Sequence, residues 1–597
     1  MRLWRPLTLL AGTALTRAAL LTEPDFSANS GQHLPTELVA DTRSPNPAAA
    51  RPQQQQPAAR LISDDVLALI EDTMALWDAK GISVAVVRRQ PGSDAFDVET
   101  RAFGVKGRDG EPMTTDTLLP IASNSKAFTV AAAGLLVANE SVPLEWTTKI
   151  HRLLPEFELQ DSVAQERTCL LDMFSHRTGL PRHDAAFRSY VDDPAGFSLR
   201  TVKYLRPSVE FRDVYQYNNH MFNIGASLVG DLTATRFEDF VKENVFDAIG
   251  FTRTTYNVQE AIDNGRLSEG FWRTGESPTS EGKVYAGYVD VATHVGAGGI
   301  LSSANDLALW LQTLLLNGKS PKSGKQVIPS EVLAKMSTGI TVSAGSGRLP
   351  EFGPVVYGMG FMQSAYQGHQ YIEHGGSLHG YRSQIIRFSL DGLGIAILTN
   401  DDSHGVYVYE AIKWRIAEEL LSTPVHVDWN SRNKAVNAKR LQAAVDERNA
   451  RRSSPPDAPL PDVTLEKLSA TYFNPAYGKL SFKVKGDGVL RAWTDNLGGG
   501  PSMLALHHFS GNHFNASITL FELPLGESEN VVVEDEVVDA EFEIVDGRVK
   551  GFGVWGGLWG AGEGVPSPKG ETPREKAEIW FERVEWPWEH SLVLQNM

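Results

Sequence analysis

A chain of 597 residues with 42% apolar and 22% charged residues has the composition of a globular protein and the length of two or three domains. Its formal net charge of −17 argues against nucleic acid and anionic membranes as partners, because both bind basic surfaces. The single cysteine, Cys169, excludes an internal disulfide and a cysteine zinc site, and we interpret it as a small buried residue.

Residues 1–60 combine a targeting-like segment with a linker. The stretch "MRLWRPLTLLAGTALTRAALL" has two early arginines, and Arg17 makes its apolar part too short and too charged for a transmembrane helix. It suits a secretory signal or a mitochondrial presequence. An intracellular location (cytosol or mitochondrion) is slightly preferred, and secretion is the alternative. Stable membrane insertion is not expected. Residues 24–60, with "RSPNPAAARPQQQQPAAR", are predicted to form a disordered linker, since they offer little apolar surface to bury.

Residues 61–425 are predicted to form one α+β domain. "LISDDVLALIEDTMALW" indicates a helix capped by Ser63 or Asp64, and "SVAVVRR" with "DVETRAFGVKG" indicates a β-hairpin. The pattern is mainly helical from 121 to about 330, returns to β at "GHQYIEHG", "YRSQIIRFS" and "GLGIAILTN", and closes on the helix "VYVYEAIKWRIAEELL". An antiparallel sheet built from both ends, flanked by helices and interrupted by a helical insertion, follows from this order.

The remaining chain is predicted to hold a linker and a second domain. Residues 426–462 indicate a charged helix and a Pro-rich linker, whereas 463–597 show short alternating runs separated by glycine turns, typical of an all-β barrel or sandwich. The histidines His507, His508 and His513 are expected in a hairpin rather than at a metal. The stretch "WGGLWGAGEGVPSPKGETPREK" is interpreted as a mobile surface loop, the alternative being a contact with a neighbour.

Ser123 and Lys126 are spaced for chemistry within the stretch "IASNSKA". If a helix begins at Ser123, the two side chains lie one turn apart on the same face, and the lysine amine can reach the hydroxyl. The apolar run that follows would bury the amine and lower its pKa, which a lysine needs to act as a base toward serine. For this pair alone, a capping serine beside a solvated lysine is the favoured interpretation.

Two further motifs change that balance. "YQYNNHMFNIGASLVG" places Tyr217 and Asn219 before an apolar helix, with Tyr215 as the alternative tyrosine, and "YIEHGGSLHGYRSQI" places His374, Gly375, Gly376 and Ser377 at the end of a β-run. In this order the three motifs resemble the signature elements of the serine β-lactamase and penicillin-binding-protein superfamily, nearest its class C-like branch of esterases, D-aminopeptidases and transesterases (peptidase S12 type). The resemblance covers roughly residues 61–425, and residues 463–597 resemble the lipocalin-like domains appended to some members, which could cover the active-site cleft or mediate oligomerisation.

The resemblance implies a role for each motif residue. Ser123 would be the acylated nucleophile, Lys126 its proton acceptor, and Tyr217 a general base or relay that later activates water or an acceptor. Asn219, which could also be a helix N-cap, would steady Lys126 and position the substrate. The backbone N–H groups of Ser123 and Ser377 would form the oxyanion hole, and residues 374–377 the strand edge along which substrate lies.

The third motif departs from the penicillin-recognising pattern. Those members carry Lys-Thr-Gly or Lys-Ser-Gly, and the lysine helps to bind a substrate carboxylate. His374 is mostly neutral at pH 7 and could have no chemical role, so carboxylate binding should be weak unless Arg382 supplies a cation. His176 is expected to be structural.

We therefore expect a serine hydrolase or acyltransferase acting on a small-molecule or short-peptide acyl substrate. Neither a metal nor an organic cofactor is required, and a homo-oligomer is compatible with the sequence. An esterase or transesterase is favoured over a D-amino-acid-specific peptidase, and a non-catalytic scaffold that kept the fold is the rival from another class.

Overall fold

The computed structural model describes residues 60–188, 193–289, 291–449, 454–497, 500–562 and 564–585. The targeting-like segment and all but the last residue of the predicted linker lie outside these ranges. No helix of the described ranges is both long enough and apolar enough to cross a membrane.

The first domain is built on an antiparallel sheet of eight strands in the order β2-β1-β12-β11-β10-β9-β8-β7. The two strands nearest the N-terminus join strands from the far end of the domain, as the sequence order predicts. The strands of this domain are β1 (Gly81–Arg89), β2 (Phe96–Gly104), β3 (Leu119–Pro120), β4 (Gly270–Ser277), β5 (Ser280–Gly287), β6 (Leu301–Ser302), β7 (Thr341–Ala344), β8 (Val355–Tyr357), β9 (Met362–Tyr366), β10 (His369–Leu378), β11 (Tyr381–Phe388) and β12 (Leu393–Thr399). Strand β3 pairs with β6 and β4 with β5, outside the main sheet.

Helices flank the sheet and fill the insertion between β2 and β7. They are α1 (Asp64–Trp77), α2 (Ser125–Val137), α3 (Ile150–Leu153), α4 (Ser162–Arg167), α5 (Leu170–Phe174), α6 (Pro194–Thr201), α7 (His220–Thr233), α8 (Phe237–Val241), α9 (Asp247–Ile249), α10 (Val258–Asp263), α11 (Val295–Gly298), α12 (Ala304–Leu315), α13 (Ser330–Ser337) and α14 (Gly405–Leu421). Short 3₁₀ turns occupy Ala122–Asn124, Asp184–Ala186, Val202–Tyr204 and Ala292–His294, and a π turn occupies Lys242–Phe246.

Burial on both faces of the sheet explains the β1 sequence. Val84 and Val86 pack with the cluster under α1 and α14, whereas the alternating Ala85 and Val87 pack with the cluster that includes α12. The N-cap predicted for α1 is confirmed at Ser63, whose Oγ accepts a hydrogen bond from the Val66 amide.

The second domain is a nearly closed, barrel-shaped antiparallel sheet of nine strands in the order β14-β13-β21-β20-β19-β18-β17-β16-β15. Its elements are α16 (Leu465–Leu468), β13 (Thr471–Asn474), β14 (Gly478–Ser481), β15 (Lys483–Val484), β16 (Leu490–Leu497), β17 (Gly500–Ser510), β18 (His513–Glu522), β19 (Val531–Val545), β20 (Arg548–Trp555), α17 (Pro573–Lys576) and β21 (Ile579–Val584). Stacked and edge-on aromatic rings fill its interior, among them Tyr472, Phe552 and Phe581. The three histidines lie in the β17–β18 hairpin, as predicted.

The two domains are joined covalently and by packing. The predicted charged helix is α15 (Trp429–Asn449), which lies on α14 and holds Tyr407 through Asn433 and Asn437. One continuous apolar cluster runs from the helical insertion into the barrel and includes Leu180 and Phe187 on one side and Tyr477 and Leu558 on the other.

Candidate active site

Ser123 lies where the chain changes from a 3₁₀ turn into α2. The helix begins at Ser125 rather than at Ser123, and Ala122 adopts a left-handed conformation with φ of 48° just before the serine. The serine is half-buried, whereas Lys126 is completely buried. The two side chains meet as the spacing predicts, with Lys126 Nζ 3.1 Å from Ser123 Oγ.

The Lys126 amine is held by two acceptors besides the serine. It donates to Asn219 Oδ1 at 2.7 Å and to the Ala297 carbonyl at 2.9 Å, the latter from the Gly-rich stretch before α12. Burial, and then the positive charge of Arg182, place the pKa of Lys126 well below its usual value. In its uncharged form the amine has two N–H donors for these two acceptors and one lone pair that can accept the Ser123 hydroxyl proton.

Tyr217, rather than Tyr215, is the tyrosine at the serine. Its hydroxyl donates to Ser123 Oγ at 2.7 Å, and its ring lies 4.2 Å from the His176 ring and 4.7 Å from the Arg182 guanidinium. Burial raises the pKa of Tyr217, so the phenol holds its proton at neutral pH. Tyr217 therefore donates to the Ser123 hydroxyl, and an uncharged Lys126 amine is within reach of the serine proton.

Asn219 occupies the N-cap position of α7 but does not cap the helix with its side chain. The neighbouring Asn218 does so, since its Oδ1 accepts from the Met221 amide at 3.0 Å. Asn219 is left to bridge Lys126 and Asp184, whose Oδ1 accepts from Asn219 Nδ2 at 3.0 Å. The acidic partner fixes the amide orientation, which points the Asn219 oxygen at the lysine.

The His-Gly-Gly-Ser segment forms a free strand edge against the serine turn. Strand β9 pairs only with His369–Glu373, so within the described sheet residues 374–378 pair with β11 alone. Gly376 packs so closely that an added Cβ would lie 2.3 Å from the Ile121 carbonyl oxygen. Ser377 is exposed at the end of this edge.

The His374 side chain is not free to bind a carboxylate. Its Nδ1 lies 2.6 Å from the Gly375 carbonyl, to which it must donate, and its Nε2 then accepts from the Tyr357 hydroxyl at 3.0 Å. Burial, with the nearby Lys126, lowers the pKa of His374 to about 3. The imidazole is therefore neutral, and it contributes to the walls of the site rather than to its charge.

Three other residues singled out in the sequence, Arg382, His176 and Cys169, also have defined surroundings. Arg382 does not supply the missing cation, because it lies on the α14 face of the sheet, against Gly405, whereas its neighbour Ser383 faces Ile121 and the serine turn. His176 accepts the Asn218 amide at 3.1 Å, a contact compatible with the structural role expected of it, and Cys169 is buried as predicted.

Sequence reasoning missed the cation that does lie at the site. Arg182 stacks on Tyr217 and forms an ion pair of 2.6 Å with Asp184, and both side chains remain about one-fifth exposed. The pair belongs to the stretch "SHRTGLPRHD" after α5, where an arginine and an aspartate two positions apart were the available signal.

The interpretation of the Trp-rich stretch after β20 as a mobile surface loop is wrong. Trp559 is buried, its carbonyl accepts from the His183 amide at 2.8 Å, and the Gly560 carbonyl accepts from the Arg182 amide at 3.3 Å. The Gly562 amide donates to Gln216 Oε1 at 3.1 Å. The barrel domain thus lays this loop directly over the segments that carry Arg182 and Tyr217.

These contacts define a site with the chemistry for acyl transfer, in which a hydroxyl lies between an amine of lowered pKa and a protonated phenol beside an open strand edge. Within the described ranges, no group of three His, Cys, Asp or Glu side chains is placed to hold a metal ion.

Comparison with known proteins agrees with this architecture. A model of the beta-lactamase family matches residues 66–417. An unguisins hydrolase of Aspergillus campestris is 27% identical over 433 residues, covering 70% of this chain and 77% of the relative, and a D-aminopeptidase of Brucella anthropi is 26% identical over 318 residues, covering 52% and 54%. The octameric penicillin-binding protein homologue from Pyrococcus abyssi superposes with a TM-score of 0.51 at 18% identity, over 81% of this chain and 97% of that one, and so shares the fold.

Proposed function

The chain belongs to the beta-lactamase family, whose members are serine hydrolases, and we propose that it cleaves or transfers an ester or amide acyl group through an acyl-enzyme on Ser123. The observation that carries the proposal is the pair of contacts at the serine hydroxyl, 3.1 Å from the Lys126 amine and 2.7 Å from the Tyr217 hydroxyl.

The order of proton transfers follows from the protonation states. Lys126 takes the Ser123 proton as the oxygen attacks the acyl carbon, and Tyr217 gives its proton to the departing group. The ammonium of Lys126 then returns a proton to the Tyr217 phenolate, so that the serine proton is replaced on the leaving group without net change. Water or an acceptor hydroxyl attacks the acyl-enzyme by the reverse sequence, with Asn219 holding the amine throughout.

The oxyanion of each tetrahedral intermediate is assigned to the backbone N–H groups of Ser123 and Ser377. Both residues lie where the serine turn packs against the free edge of β10, and the close packing of Gly376 supports this assignment. Removal of one such donor costs about 3 kcal/mol of transition-state stabilisation in other acyl-transfer enzymes.

The substrate is proposed to lack a free carboxylate beside the scissile bond, because His374 is neutral and Arg182 is paired with Asp184. An ester or transesterification substrate is the first candidate. A peptide amide, cleaved by a D-amino-acid-specific peptidase, is the second, and it is supported by the name of one relative, a D-aminopeptidase.

A fluorophosphonate probe with intact-mass detection tests the proposal. We expect one adduct on the wild type, none on Ser123→Ala, and turnover of p-nitrophenyl esters or of D-aminoacyl p-nitroanilides by the wild type alone. A preference between these two substrate sets decides between the two candidates. If neither protein is labelled and neither turns over any substrate, the non-catalytic scaffold is correct.

A further inference from the structure

The loop that the barrel domain places over the site is itself organised by a buried carboxylate. Glu578, just before β21, is 2% exposed. Its two oxygens accept hydrogen bonds from the amides of Gly556, Gly557 and Trp559 at 3.0–3.4 Å and from the Ser567 hydroxyl at 2.8 Å. Such charge-assisted bonds fix a backbone more firmly than neutral ones, so Glu578 sets the path of residues 556–562.

The same loop holds two consecutive amides of the first domain. The carbonyls of Trp559 and Gly560 accept from His183 and Arg182, respectively. Gly560 has a φ of 66° and lies so close that an added Cβ would come within 2.8 Å of Arg182 Cβ. The position of the Arg182–His183 backbone therefore depends on the loop.

The His183 side chain ties the same segment to the barrel a second time. Its Nε2 donates to the Arg206 carbonyl at 2.8 Å, which leaves Nδ1 to accept from the Tyr477 hydroxyl at 2.5 Å. Arg206 in turn donates to the carbonyl of Ala577, the residue before Glu578, at 2.5 Å. Residues 182–183 are thus held by the barrel, through Tyr477 and the 556–562 loop, and by the Arg206 carbonyl of the first domain.

From this segment a short chain of polar contacts reaches the proposed base. Asp184 pairs with Arg182 and accepts from Asn219 Nδ2, and Asn219 Oδ1 accepts from Lys126. A displacement of the segment would rotate the Asn219 amide and admit water to an amine that is now fully buried.

We propose that Glu578 is a positioning residue for the acyl-transfer site: its carboxylate fixes the 556–562 loop, and the loop holds Arg182 and His183 so that Asp184 keeps Asn219 on the Lys126 amine. The inference rests on the proposed function, and it makes the barrel domain a part of the site rather than an appendage.

The expected signature is a change in pH dependence. The titratable groups around the Lys126 amine are Tyr217, Arg182, Asp184, His176, His294 and His374. Burial lowers the pKa of each of these histidines, to about 4 for His294 and about 3 for His374, and raises that of Tyr217, so the limb on which activity rises with pH belongs to Lys126. Water entry would raise the pKa of Lys126 and move this limb to higher pH.

The test compares Glu578→Gln with Glu582→Gln in the full-length chain. Glu582 is an exposed carboxylate on the following strand and serves as the matched control. We expect the rising limb of the fluorophosphonate labelling rate to move by ~1 pH unit or more to higher pH in Glu578→Gln. The rate should therefore fall by up to ~10-fold per unit of displacement at pH values on this limb and recover toward the wild-type plateau at high pH. Recovery at high pH separates positioning from a lower folded fraction, which would reduce the rate at every pH.

A second variant and a second readout guard against misfolding. Gly560→Ala should produce the same displacement, because its Cβ presses on Arg182, and in both variants the His183 amide should exchange with deuterium faster. An unchanged limb and unchanged exchange in folded Glu578→Gln and Gly560→Ala would overturn the inference alone. Absence of labelling in the wild type, by contrast, would remove the proposed function and this inference with it.

Discussion

Replacement of Lys126 by methionine should change the pH dependence of stability in a direction that the structure dictates. Burial depresses the pKa of Lys126 well below 10.5, so between its folded-state value and 10.5 the unfolded chain binds a proton that the folded chain lacks. Stability rises with pH wherever the unfolded state holds more protons. The wild type should therefore gain stability relative to Lys126→Met as pH increases through this window.

The magnitude follows from a single proton. Between the folded-state pKa of Lys126 and 10.5, the stability difference between the two proteins should grow by up to about 1.4 kcal/mol for each pH unit. The absolute offset is less informative, because methionine leaves Asn219 Oδ1 and the Ala297 carbonyl without their donor, at a cost of about 1–3 kcal/mol each. The slope isolates the ionisation from these losses.

Urea unfolding at several pH values, followed by fluorescence and circular dichroism, measures the slope. Lys242→Met removes an exposed lysine, 62% accessible at its side chain, and should show no such trend relative to the wild type. A difference between wild type and Lys126→Met that stays constant from pH 7 to 9.5 would refute a neutral lysine in the folded protein, and with it the assignment of the base.

Three further outcomes are expected. Tyr217→Phe keeps the ring between its neighbours but removes the hydroxyl on the serine, so the acylation rate in stopped-flow assays should fall at least ~10²-fold, whereas Tyr215→Phe should change it little; the reverse result would transfer the role to Tyr215. Gly376→Ala places a Cβ 2.3 Å from the Ile121 carbonyl of the serine turn, so we expect loss of soluble protein or of fluorophosphonate labelling. Soluble protein with wild-type labelling would contradict that packing. Glu522→Gln should lower the melting temperature at pH 7, because Glu522 forms a buried ion pair of 2.7 Å with His379, whose pKa is raised to about 10. The stability from this pair is present in full below the ordinary histidine pKa and is lost as pH rises through about 10. An equal effect of the substitution at pH 7 and above pH 10 would exclude the ionic contribution.

Local sequence signals predicted the parts of the fold and site that depend on neighbours in the chain. The α1 cap at Ser63, the β1–β2 hairpin and the meeting of Ser123 with Lys126 all follow from spacing over a few residues. Family resemblance added Tyr217 and Asn219, which come from a distant segment and which spacing alone could not bring to the serine.

What the sequence could not provide is contact between segments far apart in the chain. His183 and Trp559 meet across more than 370 positions, and the Gly- and Pro-rich composition around the tryptophan is the same in a free loop and in one that is packed against another domain. The start of α2 differs from the expectation for a related reason. The left-handed Ala122 and the tight approach of Gly376 hold Ser123 in a 3₁₀ turn, a constraint imposed by β10 rather than by helix propensity.

These long-range contacts determine the protonation states and charges of the site. Before reaction, His374 is neutral, Tyr217 is protonated, Arg182 and Asp184 cancel, and the lowered pKa of Lys126 favours the uncharged amine. If Lys126 takes the serine proton during attack, a positive charge appears on the amine as negative charge develops on the acyl oxygen. Opposite charges formed together in a partly desolvated site stabilise each other more than they would in water. A lysine that was already charged would bind the ground state as well and could not accept the proton, so the proposed mechanism requires an uncharged Lys126 at rest to favour the transition state specifically.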